Sequence, residues 1–321
     1  MKKLALILAV AIVLVPLSAA MAKTYKISVS QFVEHPALDA VLKGFQDDLK
    51  ENGIAVEYNV HNAQANMATA GQIGSQIMGE KPDMVLAIAT PSAQTCAQAF
   101  KKAPHMKTTP MLFSAITDPV GAGLVKNLER PGENITGVSD MLPLGQHMKM
   151  VRMFVPNMKK LGVLYNSGEA NSRSSVNLLK KVGGEMGFEV VDATVSKTSE
   201  VYQASKSLVG RVDAVFVPTD NTVVESLESA IKVCDQNDLP LFCADVDSVR
   251  RGAVAAMGFD YYKHGRQTGA MARRIFAGAS PAATPVEMQE ELQLHVNLKY
   301  ARMMGVKVPA GALEKADKVY E

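Results

Sequence analysis

The stretch from Asp83 to Pro119 decides the fold of this chain, and it reads DMVLAIATPSAQTCAQAFKKAPHMKTTPMLFSAITDP. Its first part, Met84–Ala89, is an apolar run without alternation, which is typical of a parallel strand covered on both faces. A helical pattern follows over Ala93–Lys102, and Pro110–Ser114 is a second apolar run. The order strand, helix, strand predicts a parallel α/β sheet.

Small and hydroxylated residues follow both strands. Thr90-Pro91-Ser92-Ala93 comes after the first, where we expect Thr90 to be the helix N-cap and Pro91 the first helical residue. Ala115-Ile116-Thr117-Asp118-Pro119 comes after the second. Parallel strands end at the same edge of a sheet, and open α/β sheets bind ligands there. On these residues alone, ordinary capped loops explain the pattern equally well.

A partial copy of this stretch lies 130 residues further along the chain. Asp213–Thr219 (DAVFVPT) corresponds to Asp83–Ala89, and Pro240–Ala244 (PLFCA) corresponds to Pro110–Ser114. A period of this length is far too long for a solenoid, so it indicates duplication of a whole α/β domain. The sequence therefore predicts two similar doubly wound parallel-sheet lobes joined by a hinge.

The first 22 residues have the pattern of a cleaved signal peptide. Lys2 and Lys3 precede an apolar segment, Leu4–Leu14, and Ala20-Met21-Ala22 resembles a cleavage site. Because the apolar segment is too short to span a bilayer comfortably, we do not expect a membrane anchor. The sequence predicts a secreted protein, periplasmic or extracellular, that does not span the membrane.

Charge and length narrow the class of protein further. Without Lys2 and Lys3 the chain carries 32 Lys and Arg against 32 Asp and Glu, so the predicted mature protein is about neutral. Nucleic-acid binding needs clustered positive charge, and we therefore expect no nucleic acid as a partner. The remaining 299 residues suffice for two domains of ordinary size.

The duplication sets the expected domain boundaries. We expect an N-terminal lobe over residues 23–140, a C-terminal lobe over 141–258, and a returning helix with a bracing segment over 259–321. Part of the segment after 258 is expected to join the N-terminal lobe. The chain has three cysteines, so at least one is unpaired. A bridge between Cys234 and Cys243 stays open, because disulfides need a specific geometry.

Sequence motifs for catalysis are missing. The chain has no G-x-S-x-G elbow, no G-x-x-x-x-G-K-[ST] phosphate loop and no H-E-x-x-H. Its six histidines are scattered, and none lies at metal-ligand spacing from a cysteine or carboxylate. We therefore expect a binding protein that is not an enzyme and uses no metal or cofactor.

Polar residues at the predicted strand ends are the candidates for a binding site. They are Gln31, Glu34, Thr90, Ser92, Ser114, Ala115 and Thr117 in the first half, and Asn166, Glu169, Asn171, Thr219, Asp220, Asn221, Asp245 and Asp247 in the second. The first half offers hydroxyls and helix-start N–H groups, and the second offers carboxylates. This division suits a zwitterion. Helix capping by Asp220 and Asp245 is the alternative explanation.

Six segments spread over the chain carry a family resemblance. They are SQFVEHPALD (30–39), ATPSAQ (89–94), FSAITDP (113–119), YNSGEANS (165–172), PTDNTV (218–223) and GFDYYKHG (258–265). With two α/β lobes behind an export signal, the chain resembles type I periplasmic binding proteins with the Venus-flytrap architecture. It is most similar to the tryptophan/tyrosine-type substrate-binding components of ABC transporters. The resemblance implies lobes that close on a ligand and deliver it to a membrane permease.

The resemblance also implies roles for individual residues. By similarity to leucine-type binding proteins, Ser92, Ala115 and Thr117 would hold the α-carboxylate and α-ammonium of an amino acid. An aromatic ligand would need an apolar wall, for which the candidates are Phe32, Phe113, Tyr165 and Tyr262. A monomer is expected. A sugar or nucleoside receptor, or a ligand sensor that docks to a signalling receptor, remains as an alternative.

Overall fold

The structure is a computed structural model that describes residues 23–321. The predicted signal peptide, residues 1–22, lies outside the described residues. The chain forms one sheet of six strands and one of seven, each covered by helices, and we call these two units the N-lobe and the C-lobe. Among residues 23–321, no helix combines the length and the apolar character needed to cross a bilayer.

The elements follow in the predicted alternation of strands and helices. In the first half they are β1 (Tyr25–Gln31), α1 (Pro36–Glu51), β2 (Val56–Asn62), α2 (Met67–Glu80), β3 (Met84–Ile88), α3 (Thr90–Lys101), β4 (Met111–Ile116) and β5 (Ile135–Ser139). In the second half they are α4 (Leu144–Phe154), β6 (Lys160–Asn166), α5 (Ala170–Met186), β7 (Glu189–Val195), α6 (Val201–Lys206), β8 (Ala214–Val217), α7 (Asn221–Glu225), α8 (Leu227–Asp235), β9 (Leu241–Cys243), α9 (Asp247–Arg251) and β10 (Ala255–Gly258). The last part contains α10 (Tyr261–Phe276), β11 (Glu287–Met288), β12 (Gln293–Asn297), α11 (Leu298–Met303), α12 (Ala310–Leu313) and β13 (Lys318–Tyr320).

The two sheets share one strand order. The N-lobe sheet runs β11-β5-β4-β3-β1-β2 and the C-lobe sheet runs β13-β12-β10-β9-β8-β6-β7. Five neighbouring strands are equivalent in the two sheets, and all pairs among them are parallel. The pair β10–β12 is antiparallel and extends the C-lobe sheet. The predicted duplication of a doubly wound α/β domain is confirmed.

Each lobe has its own apolar core. Every residue of β3, β4 and β8 is buried, as expected for central parallel strands covered on both faces. The edge strands β2 and β7 are largely exposed or half-buried, because only one side of them has a neighbouring strand. One apolar cluster lies around the N-lobe sheet and a separate one around the C-lobe sheet. The lobes are therefore stabilised largely independently.

The chain crosses between the lobes after β5, after β10 and after β11. The N-lobe thus takes up α10, which packs against α1, and β11, which pairs with β5. The C-lobe takes up β12 and β13. These crossings form the hinge region.

The prediction that Thr90 caps α3 is wrong. Ala89 holds the N-cap position with a φ of 73°, Thr90 is already the first helical residue, and Pro91 is the second. A single residue connects β3 to α3, and the sharp turn forces Ala89 into a left-handed conformation that is uncommon for alanine. Such backbone strain is often found at binding sites.

The three cysteines are all free and buried. Cys96 lies in α3, Cys234 in α8 and Cys243 in β9. The bridge between Cys234 and Cys243 that the sequence left open is not formed. Burial raises the pKa of the Cys234 thiol to about 12, so this cysteine behaves as a small apolar core residue.

Candidate binding cleft

A cleft lies between the lobes, where the strands of both sheets end at their carboxyl edges. Its empty volume is about 360 Å³, counting the open space at its mouth. The lining residues are His35, Ala37, Leu38, Ala115 and Thr117 from the N-lobe, Asp140 and Tyr261 from the crossing region, and Asn171, Thr219, Asp220, Asn221, Val224 and Asp245 from the C-lobe.

The structure brings seven of the predicted site residues to this cleft. Those that line it are Ala115, Thr117, Asn171, Thr219, Asp220, Asn221 and Asp245. Those that do not are Gln31, Phe32, Glu34, Thr90, Ser92, Ser114, Asn166, Glu169 and Asp247. Sequence reasoning missed His35, Ala37, Leu38, Asp140, Val224 and Tyr261. Within the duplicated stretch, the cleft brings together the residues that follow β4, β8 and β9.

Three predicted site residues of the N-lobe lie outside the cleft. Gln31 uses its amide to donate to Asp39 at 2.7 Å and to the Val33 carbonyl at 2.9 Å. Phe32 is a core residue, and Glu34 is exposed. Their neighbour His35 faces the cleft instead, and burial lowers its pKa to about 3, so the imidazole is neutral.

Thr90 and Ser92 lie at the start of α3. Both are buried, and neither hydroxyl has a hydrogen-bond partner among the described residues. A buried hydroxyl without a partner is unfavourable. These two side chains therefore keep unused hydrogen-bonding capacity beside the strained residue Ala89.

Ala115 has an irregular backbone that a histidine supports. Its φ is 57°, and the pairing of β4 with β5 shifts register between Ser114 and Ile116, so Ala115 is left out of the ladder. The Ala115 N–H donates to Nε2 of His264 at 3.0 Å. Burial lowers the pKa of His264 to about 4, which keeps the ring neutral and able to accept this bond.

Two hydrogen bonds join the lobes next to the cleft. The hydroxyls of Thr117 and Thr219 are 2.9 Å apart, and the Ser174 hydroxyl donates to Asp118 at 3.1 Å. Both pairs connect a residue after β4 with the C-lobe. The lobes are closed.

Glu169 and Asp220 form a buried acidic pair beneath the C-lobe wall. Glu169 accepts from the backbone and side chains of Asn221 and Thr222. Asp220 accepts from the Asn166 N–H and the Ser172 hydroxyl, both at 2.6 Å, and from the N–H of Val223 at 2.8 Å as the cap of α7. Burial and the charge of Glu169 raise the pKa of Asp220 to about 8.

Asp245 and Asp140 complete the acidic lining. Asp245 accepts from the N–H and the hydroxyl of Ser248, at 2.8 and 2.6 Å. Asp140 accepts from the Thr117 hydroxyl at 3.1 Å and from the Tyr261 hydroxyl at 2.8 Å. Burial raises the pKa of both carboxyls.

None of the four aromatic residues proposed as a ligand wall lines the cleft. Phe32 and Phe113 are buried in the core, Tyr165 belongs to the C-lobe cluster, and Tyr262 donates to Asp47 of α1. The apolar surface of the cleft comes from other residues, chiefly Leu38, Val224 and Tyr261. A second cavity, with an empty volume of about 560 Å³, shares Thr117 and Thr219 with the cleft, and its apolar lining includes Met141, Leu142, Leu144 and Leu178.

Two duplicated α/β lobes around a polar cleft define a solute-binding protein of the type I periplasmic fold. The comparison with known families agrees: residues 26–320 match the model of the family "ABC transporter substrate binding protein". The chain belongs to this family, which consists of transport receptors.

Three individual proteins show which members of the family the chain is similar to. It is 39% identical over 279 residues to a "Tyrosine-binding protein" of Clostridioides difficile, covering 86% of this chain and 79% of that protein. A domain from Streptococcus pneumoniae solved in complex with L-Trp is 34% identical, with a TM-score of 0.87 over 92% of this chain and 100% of that one. The ligand-free, open structure of a Clostridium difficile substrate-binding protein is 37% identical, with a TM-score of 0.68 over 92% and 99%. The lobe arrangement is therefore closer to that of the complex.

Proposed function

We propose that this chain is an extracytoplasmic receptor that binds one aromatic or large apolar amino acid in the cleft and delivers it to an ABC permease. The observation that carries the proposal is the lining of the closed cleft, where the Thr117 hydroxyl of the N-lobe and the carboxyl groups of Asp220 and Asp245 of the C-lobe border one cavity. The relatives support the choice of ligand, because one is a tyrosine-binding protein and another was solved with L-Trp.

The two charged groups of the ligand would be held by different lobes. Ser92 and Thr117, with the N–H groups at the starts of the segments that follow them, hold the carboxylate. Asp245, helped by Asp220 and the Ala115 carbonyl, holds the ammonium. Of the remaining predicted residues, Asn171, Thr219 and Asn221 line the cleft. The others do not line it and would support the segments that do; they are Gln31, Phe32, Glu34, Thr90, Asn166 and Glu169.

The proposal includes export, partner and assembly. The signal peptide over residues 1–22 would be removed, so N-terminal sequencing of the exported protein should start at Lys23; recovery of the functional protein with Met1 would contradict this.

The receptor acts as a monomer that docks to a permease, with no cofactor. A pull-down of a permease would support this partner, and capture of a signalling receptor would indicate a sensor instead.

A thermal-shift panel tests the ligand class directly. A ligand that binds only the folded protein stabilises it by about 2.7 kcal/mol at a hundredfold excess over Kd. We expect L-tryptophan, L-tyrosine or L-phenylalanine to raise the melting temperature. Because the chain has no tryptophan, a change in the emission of L-tryptophan when the protein is added would confirm its binding. A rise with a sugar or nucleoside but with none of the three amino acids would refute the proposal.

A further inference from the structure

Asp140 is a buried cleft carboxylate whose position helix capping does not explain. It lies just after β5, where the chain first leaves the N-lobe, and it is 3% exposed. Its two oxygens accept from side-chain hydroxyls of other elements, Thr117 and Tyr261. By contrast, Asp220 caps α7 and Asp245 accepts the N–H of Ser248 in α9. Those two carboxylates have a local structural role that Asp140 lacks.

The charge of Asp140 also has no cation beside it. None of the ion pairs formed within residues 23–321 includes Asp140. A carboxylate has about four lone-pair positions, and the two hydroxyls use only two of them. Burying an ionised carboxylate without a cation is costly. Burial accordingly raises the pKa of Asp140. A cationic group of a ligand in the cleft would remove this cost.

The partners of Asp140 connect it to both lobes. The single hydroxyl hydrogen of Thr117 is donated to Asp140, so in the 2.9 Å contact between the threonines Thr219 must be the donor. The hydrogen bonds therefore run from Thr219 in the C-lobe, through Thr117 in the N-lobe, to Asp140. Tyr261, at the start of α10 after the second crossing, binds the other oxygen. Asp140 thus joins two crossing segments and, in the closed form, both lobes.

We propose that Asp140 is a further acceptor for the ligand ammonium and couples ammonium binding to lobe closure. This inference rests on the proposed function, since it assigns a residue to the same site. The ammonium donates to Asp140 and neutralises it, which frees the Thr117 hydroxyl to donate to the ligand carboxylate, while Thr219 still donates to Thr117 across the lobes. A ligand without an α-amino group leaves the buried carboxylate uncompensated and therefore favours closure less.

The test compares Asp140→Asn with a matched control, Asp213→Asn. Asp213 also accepts two hydrogen bonds, from the N–H groups of Lys159 and Lys160 at 2.8 Å, but it precedes β8 at the end away from the cleft. Calorimetric titration would give Kd for L-tryptophan and for indole-3-propionate, which lacks the amino group. We expect Asp140→Asn to weaken L-tryptophan binding about a hundredfold, and indole-3-propionate binding less than about threefold. Asp213→Asn should change neither.

Two other results would overturn this inference, and a third would overturn the proposed function. Equal losses of affinity for both compounds would show that Asp140 only supports the structure. An unchanged affinity for L-tryptophan would show that Asp245 and Asp220 hold the ammonium without Asp140. Either result overturns this inference while wild-type binding upholds the proposed function. If wild type binds no aromatic amino acid, the proposed function itself fails. Should Asp140→Asn not fold, as judged by its melting curve, Asp140→Ser removes the same charge and carries the same expectation.

Discussion

At the residue scale, the cleft concentrates buried carboxyl groups around a few hydroxyls. Asp140, Asp220 and Asp245 all line it, and burial raises the pKa of each. A cation between them would be held by several carboxylates at once. The hydroxyl of Thr117 lies on the N-lobe side of the same cavity. The residues thus offer separate places for an ammonium and a carboxylate within one small volume.

Removing the hydroxyls should weaken ligand binding. A hydrogen bond to a charged group contributes about 1.5–3 kcal/mol, so Thr117→Ala or Ser92→Ala should raise Kd for L-tryptophan roughly ten- to a hundredfold. Fluorescence titration measures this. Thr136→Ala is the control, because Thr136 is a buried hydroxyl in β5 that bonds the Thr284 carbonyl. Unchanged affinity in Thr117→Ala and Ser92→Ala would remove both from the site.

The raised pKa of Asp220 predicts how the stability of the folded protein depends on pH. Burial and Glu169 raise its pKa from 3.8 to about 8 in the folded protein. Between these values the folded state keeps a proton that the unfolded chain has released, so the free energy of unfolding of the ligand-free protein should fall as pH rises. Urea unfolding at about pH 5 and about pH 8 measures the difference. Asp220→Asn should remove most of this dependence, and an unaltered slope in that variant would contradict the assignment.

At the element scale, α10 is held against α1 by two close backbone approaches. A Cβ atom on Gly44 would lie 2.1 Å from the Tyr262 carbonyl oxygen, and one on Gly265 would lie 2.0 Å from that of Val41. Glycine is therefore required at both positions. The same helix supplies His264, which supports Ala115, and Tyr261, which binds Asp140. The packing of α1 on α10 thereby positions part of the cleft.

Gly265→Ala should destabilise the protein by about 1–3 kcal/mol, because the helices would have to separate. Gly184→Ala is a matched control in α5, where an added Cβ meets nothing within 4 Å. There the change should stabilise by roughly 0.5–1 kcal/mol, since alanine favours helix. Denaturant unfolding of both variants measures the two effects. Equal effects of both variants would contradict the close packing.

Sequence patterns predicted the elements better than the lining of the cleft. Buried strands such as β3 and β8 are local apolar runs, and their repetition at a fixed spacing identified the duplication. Tyr261 and Asp140, however, are 121 positions apart and meet only through the crossing of the chain. No local pattern marks such a pair. Glu34 and His35 are neighbours, and which of them faces the cleft depends on how α1 begins.

At the scale of the whole molecule, closure follows from the way the lobes are built. Each lobe has its own core, and the chain crosses between them at three places. The direct bonds beside the cleft, from Thr117 to Thr219 and from Ser174 to Asp118, are few and polar. Lobes joined in this way can move as units about a hinge. A ligand shifts the equilibrium by as much as it prefers the closed form.

Small-angle X-ray scattering during titration with L-tryptophan shows whether the lobes close on the ligand. The protein would first be unfolded and refolded by dialysis, so that any retained ligand is removed. We predict that the radius of gyration decreases on addition of L-tryptophan and stops changing at one ligand per chain, with scattering that matches the closed structure. An unchanged radius of gyration at saturating L-tryptophan would contradict a receptor that closes on an aromatic amino acid.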